Sequence, residues 1–97
     1  MTPRRAAKVD VNQQMIVEAL RAAGATVAHT HMVGSGFPDI VVGKGGHTYL
    51  MEIKQPKKRD RLTDDERRFM VDWQGHTCVV TTPEEALIVI GAIQDEP

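Results

Sequence analysis

Apolar positions along this chain change their period several times, and each change marks an element. Between residues 10 and 23, Met15, Ile16, Ala19, Leu20 and Ala23 recur at helical spacing, which predicts a helix with one buried face. Asp10 and Gln13 offer it a capping pair, and Gly24 marks its stop. Thr26 to Met32 alternates weakly and predicts a strand with His29 and His31 on one face, lining a cleft or simply polar. Val33-Gly34-Ser35-Gly36 follows as a loop whose glycines allow close backbone approach. Two apolar runs, Ile40-Val41-Val42 and Tyr49 to Ile53, flank Gly43-Lys44-Gly45-Gly46 and predict a β-hairpin. Alternation sends Tyr49, Met51 and Ile53 toward a core and Glu52 and Lys54 to the opposite face.

Pro56 ends the second hairpin strand. Thr63 and Glu66 form a capping box for a helix over 64–73, with Phe69, Met70 and Trp73 as its apolar side. Thr77-Cys78-Val79-Val80-Thr81 is rich in β-branched residues and predicts a short, central, buried strand, in which Cys78 is a small core residue. Thr82-Pro83-Glu84-Glu85 opens a last helix with a second capping box and proline at its first position. Ala86, Leu87, Val89 and Ile90 pack that helix, and Ile88 and Ile93 leave apolar surface suited to a subunit contact. The order αβββαβ(α) predicts an α/β fold, a mixed sheet flanked by helices.

Composition narrows the function classes. The 97 residues fit a single domain, with a basic arm at 1–8 and an acidic tail at 94–97. A hydrophobic content of 41% and a charged content of 26% are those of a globular protein. No apolar run approaches the roughly 20 residues of a membrane helix, and no signal-peptide segment follows the N-terminus, so no membrane partner is expected. One cysteine gives no disulfide framework and suits a reducing, cytoplasmic setting. The net charge of −1 restricts any nucleic-acid contact to a local patch. Two candidates exist: Lys57, Lys58, Arg59 and Arg61 after the hairpin, and Arg4 and Arg5 in the arm.

Chemistry concentrates at the hairpin. Asp39 stands at the mouth of its first strand, where pairing brings it beside Glu52, and Lys54 shares the Glu52 face. Two carboxylates and an ammonium build a poor core, because buried charges must be paired. They suit a divalent cation and a water. His29-x-His31 has no further histidine or cysteine at ligand spacing, which argues against zinc.

These residues carry a family resemblance. Gly36, Pro38-Asp39, Glu52-x-Lys54 and the helix start Leu62-Thr63-Asp64-Asp65-Glu66 resemble the VRR-NUC branch of the PD-(D/E)xK nuclease superfamily, over roughly residues 10 to 90. The resemblance implies a restriction-endonuclease-like mixed sheet. It implies Mg²⁺ or Mn²⁺ held by Asp39, Glu52 and the backbone carbonyl of Ile53, with an acid in the first helix, at or near Asp10, assisting. Lys54 would polarise the attacking water and steady the charge on phosphorus. The family commonly has glutamine where Glu66 stands, and the helix cap by itself accounts for Glu66 here. Stand-alone relatives look like homodimeric nucleases acting on branched DNA such as Holliday junctions, so DNA and a second copy are the expected partners. The alternative is a non-cleaving DNA- or protein-binding module on a nuclease fold. A base-reading restriction enzyme ranks lower, since the chain is too short for an obvious reading element.

Overall fold

The computed structural model describes residues 10–95, which leaves the Arg4 and Arg5 expectation outside the described residues. The first helix, α1 (Val11–Ala22), is capped by Asp10, whose carboxylate accepts the Asn12 N–H. Gln13 does not complete the expected capping pair; its amide faces the His29 ring at 3.4 Å. Helix α1 buries Ile16, Val17 and Leu20, while Met15 is exposed. The buried stripe is thus rotated slightly from the one expected, because α1 must cover α3 as well as the sheet. Each fully buried aliphatic here contributes about 1.5–3 kcal/mol.

Strand β1 (Thr26–His29) pairs antiparallel with β2 (Ile40–Lys44), and β2 with β3 (His47–Ile53). The hairpin closes on Gly45 and Gly46, both at positive φ (59° and 83°), as a two-residue turn matched to strand twist requires. Helix α2 (Asp64–Asp72) follows, then β4 (Thr77–Val80) and α3 (Pro83–Val89). Strand β4 lies parallel to β3, so the sheet is mixed and its order is β1-β2-β3-β4. The architecture is α/β, in the element order αβββαβα.

Two expectations fail at the sheet margins. Strand β4 is an edge strand, not a central one. Its β-branched residues reflect the cover given by α3, and Cys78 packs half-buried against the core, its thiol pushed up to about 11 by burial and by Glu85. Strand β1 stops at His29, because Thr30 turns to donate its N–H to the Asp39 carbonyl.

Partners in register share a face, so Val27, Val42 and Tyr49, then Ile40, Met51 and Cys78, then Ile53 and Val80 line one side of the sheet. Helices α1 and α3 close over that side through Ile16, Val17, Leu20, Ala86 and Ile90. The other side carries Val41, Leu50, Glu52 and Val79 and faces α2, where the Thr77 hydroxyl meets Met70 Sδ at 3.4 Å. Leu50 and Glu52 are buried there, so β3 is covered on both faces.

Candidate active site

Carrying the Ile40–Met51 register one residue outward sets Asp39 directly opposite Glu52, and two residues outward sets Pro38 opposite Ile53. Proline has no N–H, so the antiparallel ladder cannot continue. The Asp39 carboxylate takes over and accepts the Ile53 N–H at 2.8 Å. The Ile53 carbonyl lies along the same strand edge as its N–H, on the Asp39 side, where Pro38 has no donor to offer it. A proline at this point therefore ends the pairing and leaves oxygen atoms of Asp39, Glu52 and Ile53 at one strand mouth.

The loop before Asp39 brings in a fourth group. Gly36 has φ of +81°, and a Cβ there would lie 2.4 Å from the Asp65 backbone. This close approach seats the first turn of α2 on the Gly34–Gly36 loop. Phe37 reinforces it edge-on against Phe69, with centroids 5.2 Å apart. Thr63 caps α2, and the Glu66 carboxylate returns to the Thr63 N–H at 2.9 Å, the capping box expected. The same Glu66 oxygen accepts from Lys54 Nζ at 2.9 Å. Lys54 Nζ also lies 3.5 Å from the Glu52 carboxylate. The capping role of Glu66 is real but incomplete: it also steers Lys54, which sequence spacing alone does not reveal.

The electrostatics are strained in one direction. Glu52 is 4% exposed, and its carboxyl is pushed up to about 8, first by burial and then by the neighbouring Asp39 and Glu66 carboxylates. Asp39 is also raised, by burial first, although the Ile53 N–H opposes the shift. Burial works against the Lys54 charge, yet Glu66 and Glu52 more than offset it and hold Lys54 above its ordinary value. Glu66 is lowered despite its burial, by the Thr63 N–H and by Lys54. Three carboxyl groups thus share one ammonium, and the most buried of them is the one left short of positive charge.

This donor set fits a hard divalent cation. The surplus charge is negative, every donor is oxygen, and two carboxylates with a carbonyl suffice for Mg²⁺ or Mn²⁺, which retain waters. It is not a cage: among the described residues, no group of three or more His, Cys, Asp or Glu side chains is poised to hold a metal.

The remaining expected residues are distributed as follows. Asp10 stays at its cap, its carboxylate facing the Gln55 amide at 3.1 and 3.2 Å, so it meets the residue after Lys54 and no carboxyl of the cluster. Asn12, not singled out from the sequence, donates through Nδ2 to the carbonyls of Lys54 and Thr81 at 3.0 and 3.1 Å and ties the ends of β3 and β4 together. His29 pairs opposite Ile40 and so belongs to the α1 side of the sheet, away from the Glu52 face, and His31 lies past the end of β1 on a turn. Lys57 and Lys58 lie on a short 3-10 turn, Pro56–Lys58, and are exposed, as is Arg61. Arg59 instead pairs with Glu85 and reaches the Thr81 hydroxyl, so it serves the fold. Comparison of the chain with family profiles, with curated proteins and with solved structures gives no match.

Proposed function

We propose that this chain is a metal-dependent endonuclease that hydrolyses DNA phosphodiester bonds, selective for branched DNA such as Holliday junctions. One observation carries the proposal: Asp39, Glu52 and Lys54 meet at one strand mouth, with the buried Glu52 raised to about 8. A buried carboxyl crowded by like charges costs on the order of several kcal/mol if ionised alone, and a structural role gives no reason to keep it. A cation removes that cost.

Asp39, Glu52 and the Ile53 carbonyl would hold Mg²⁺ or Mn²⁺. When bound, the ion supplies Lewis acidity at the scissile phosphate. The protein's own groups do the rest. Lys54, kept charged and aimed by Glu66, orients the attacking water through Nζ and stabilises the extra negative charge on the phosphoryl oxygens. Asn12 donates to the Lys54 carbonyl and so holds the backbone from which the ammonium extends. Lys57, Lys58 and Arg61 sit just beyond Lys54 and hold flanking phosphates. Paired cuts on two strands need two such sites, hence a homodimer, with sedimentation of the protein with and without DNA reading the copy number.

The test is purified protein with labelled junction, flap, duplex and single-stranded DNA, in Mg²⁺, Mn²⁺ or EDTA. Cutting is expected with either metal and none in EDTA. Lys54→Ala should lower turnover by about 10² or more while metal still binds. Glu52→Gln and Asp39→Asn should abolish both cutting and metal binding. Full activity in all three variants would sink the assignment.

A further inference from the structure

Four residues on one face of α2 (Asp65, Arg68, Phe69 and Asp72), the Trp73 that follows it, and Ser35 across from them line an open groove of about 460 Å³. Trp73 caps the C-terminal end of α2 and stacks on Phe69, with centroids 5.1 Å apart and planes 16° from parallel. Phe37 braces both rings edge-on, at 5.2 and 6.5 Å. Phe69 and Trp73 belong to the apolar side expected of α2. Trp73 is 41% exposed, and none of α2 is fully buried.

A rigid, braced, solvent-facing indole is a platform, and the rim decides what it suits. The rim offers one guanidinium, Arg68, loosely held by Asp65 at 3.5 Å, and two carboxylates, Asp65 and Asp72. The balance is negative, so a phosphate is repelled. A neutral planar ring with both donors and acceptors on its edge matches it: carboxylates accept from ring imino or exocyclic amino N–H groups, and the guanidinium donates to ring carbonyls. The groove is also placed to serve the strand mouth. Glu66, at the first turn of α2, touches Lys54, and Trp73 follows it seven positions later. That is about 10 Å along the axis, or about three stacked base steps.

We infer that the Phe69–Trp73 groove is a stacking site for an unpaired nucleobase a few nucleotides from the scissile phosphate. It rests on the nuclease proposal and deepens it by naming the substrate: DNA with a base free of its partner beside the cut, as at a branch point or a single-stranded flank. Stacking on aromatic side chains is sequence-tolerant, because every base presents a π face.

Trp73 is the chain's one tryptophan, so its fluorescence reports on the site directly. Wild-type protein in EDTA, where no cutting is expected, is titrated with a short oligothymidylate and with an abasic oligomer of equal length and charge. The oligothymidylate should quench Trp73 and the abasic oligomer should not. Read by the anisotropy of end-labelled oligomers, since both variants lack the tryptophan, Trp73→Phe should retain the affinity for oligothymidylate, and Trp73→Ala should weaken it about tenfold while leaving the abasic oligomer's affinity unchanged. Equal quenching by the two oligomers, or no binding of oligothymidylate, overturns the inference without any variant being made. Quenching that follows protein concentration in the absence of DNA assigns the groove to a second copy of the chain and also overturns it. Metal-dependent cutting, assayed separately, tells the two failures apart: cutting without stacking leaves the nuclease proposal standing.

Discussion

At the scale of single residues, Glu52 sets the pH behaviour. Its folded value of about 8 stands above the ordinary carboxylate value of 4.5, so the folded state retains a proton that the unfolded chain releases between those limits. Stability must therefore fall as pH rises through that window. Asp39, also raised, adds in the same sense. Glu66 is lowered, so its contribution fades only on acidification below its ordinary range, and the Lys54 contribution fades only in strong alkali. In EDTA, the melting temperature should decline from about pH 5 to about pH 8, and Glu52→Gln should flatten most of that decline. Mg²⁺ held as proposed would displace the Glu52 proton, so its affinity should rise by up to about tenfold per pH unit in this range. Thermal melts and calorimetric Mg²⁺ titrations across pH check both. A melting temperature that climbs over the same interval would contradict the burial of an uncompensated carboxyl.

At the scale of elements, the docking of α2 on the Gly34–Gly36 loop decides whether Glu66 reaches Lys54. Gly36→Ala places a methyl group 2.4 Å from backbone atoms of Asp65 and keeps a positive φ, so both contact and conformation are unfavourable. The first turn of α2 has to retreat. The expected cost is roughly 1–3 kcal/mol, together with a shift in Trp73 emission as Phe37 and Phe69 separate. Gly34→Ala is the control. It has a comparable φ of +82° but nothing within 4 Å of the new methyl group, so it bears the backbone strain alone. Similar emission spectra and similar losses of stability in the two variants would show that the close approach does not hold α2 in place.

At the scale of the whole molecule, a net charge of −1 restricts the proposed DNA binding to a patch. The candidate patch is smaller than the run of cations suggests, because Arg59 is spent on Glu85 and Thr81. Replacing Lys57 and Lys58 with alanine should weaken DNA binding and lower the salt slope by roughly two units. Arg59→Ala should instead lower the melting temperature and leave the slope nearly unchanged. Filter-binding or anisotropy titrations at several salt concentrations distinguish the two, and an unchanged slope in the double variant removes the segment from the interface.

Much of the fold was legible in the sequence because it is written locally. The hairpin follows from a glycine pair between apolar runs, and the three helix starts from Asp10, Thr63 and Thr82, each of which accepts a first-turn N–H; only Thr63 completes its expected box, because Gln13 turns to His29 and the Glu85 carboxylate accepts the Thr81 N–H instead. The pairing of Asp39 with Glu52 was legible too, since a two-residue turn fixes register along the whole hairpin. Tertiary structure alone decided the rest. The β-branched run Thr77–Val80 suits a central strand or an edge covered by a helix, and only the placement of α3 selects the edge. Glu66 and Asn12 read as ordinary first-turn residues, yet they hold Lys54 across 12 and 42 residues of chain. Trp73 reads as part of the apolar side of α2 because it is in phase with Phe69, but no residue of α2 is buried: Met70 and Phe69 are half-covered and Trp73, past the last turn, stays exposed. Local pattern fixes what each segment becomes, because hydrogen bonding and side-chain periodicity act over a few residues. Which polar groups meet is set by how the segments stack, and that is decided by burial summed over the whole chain.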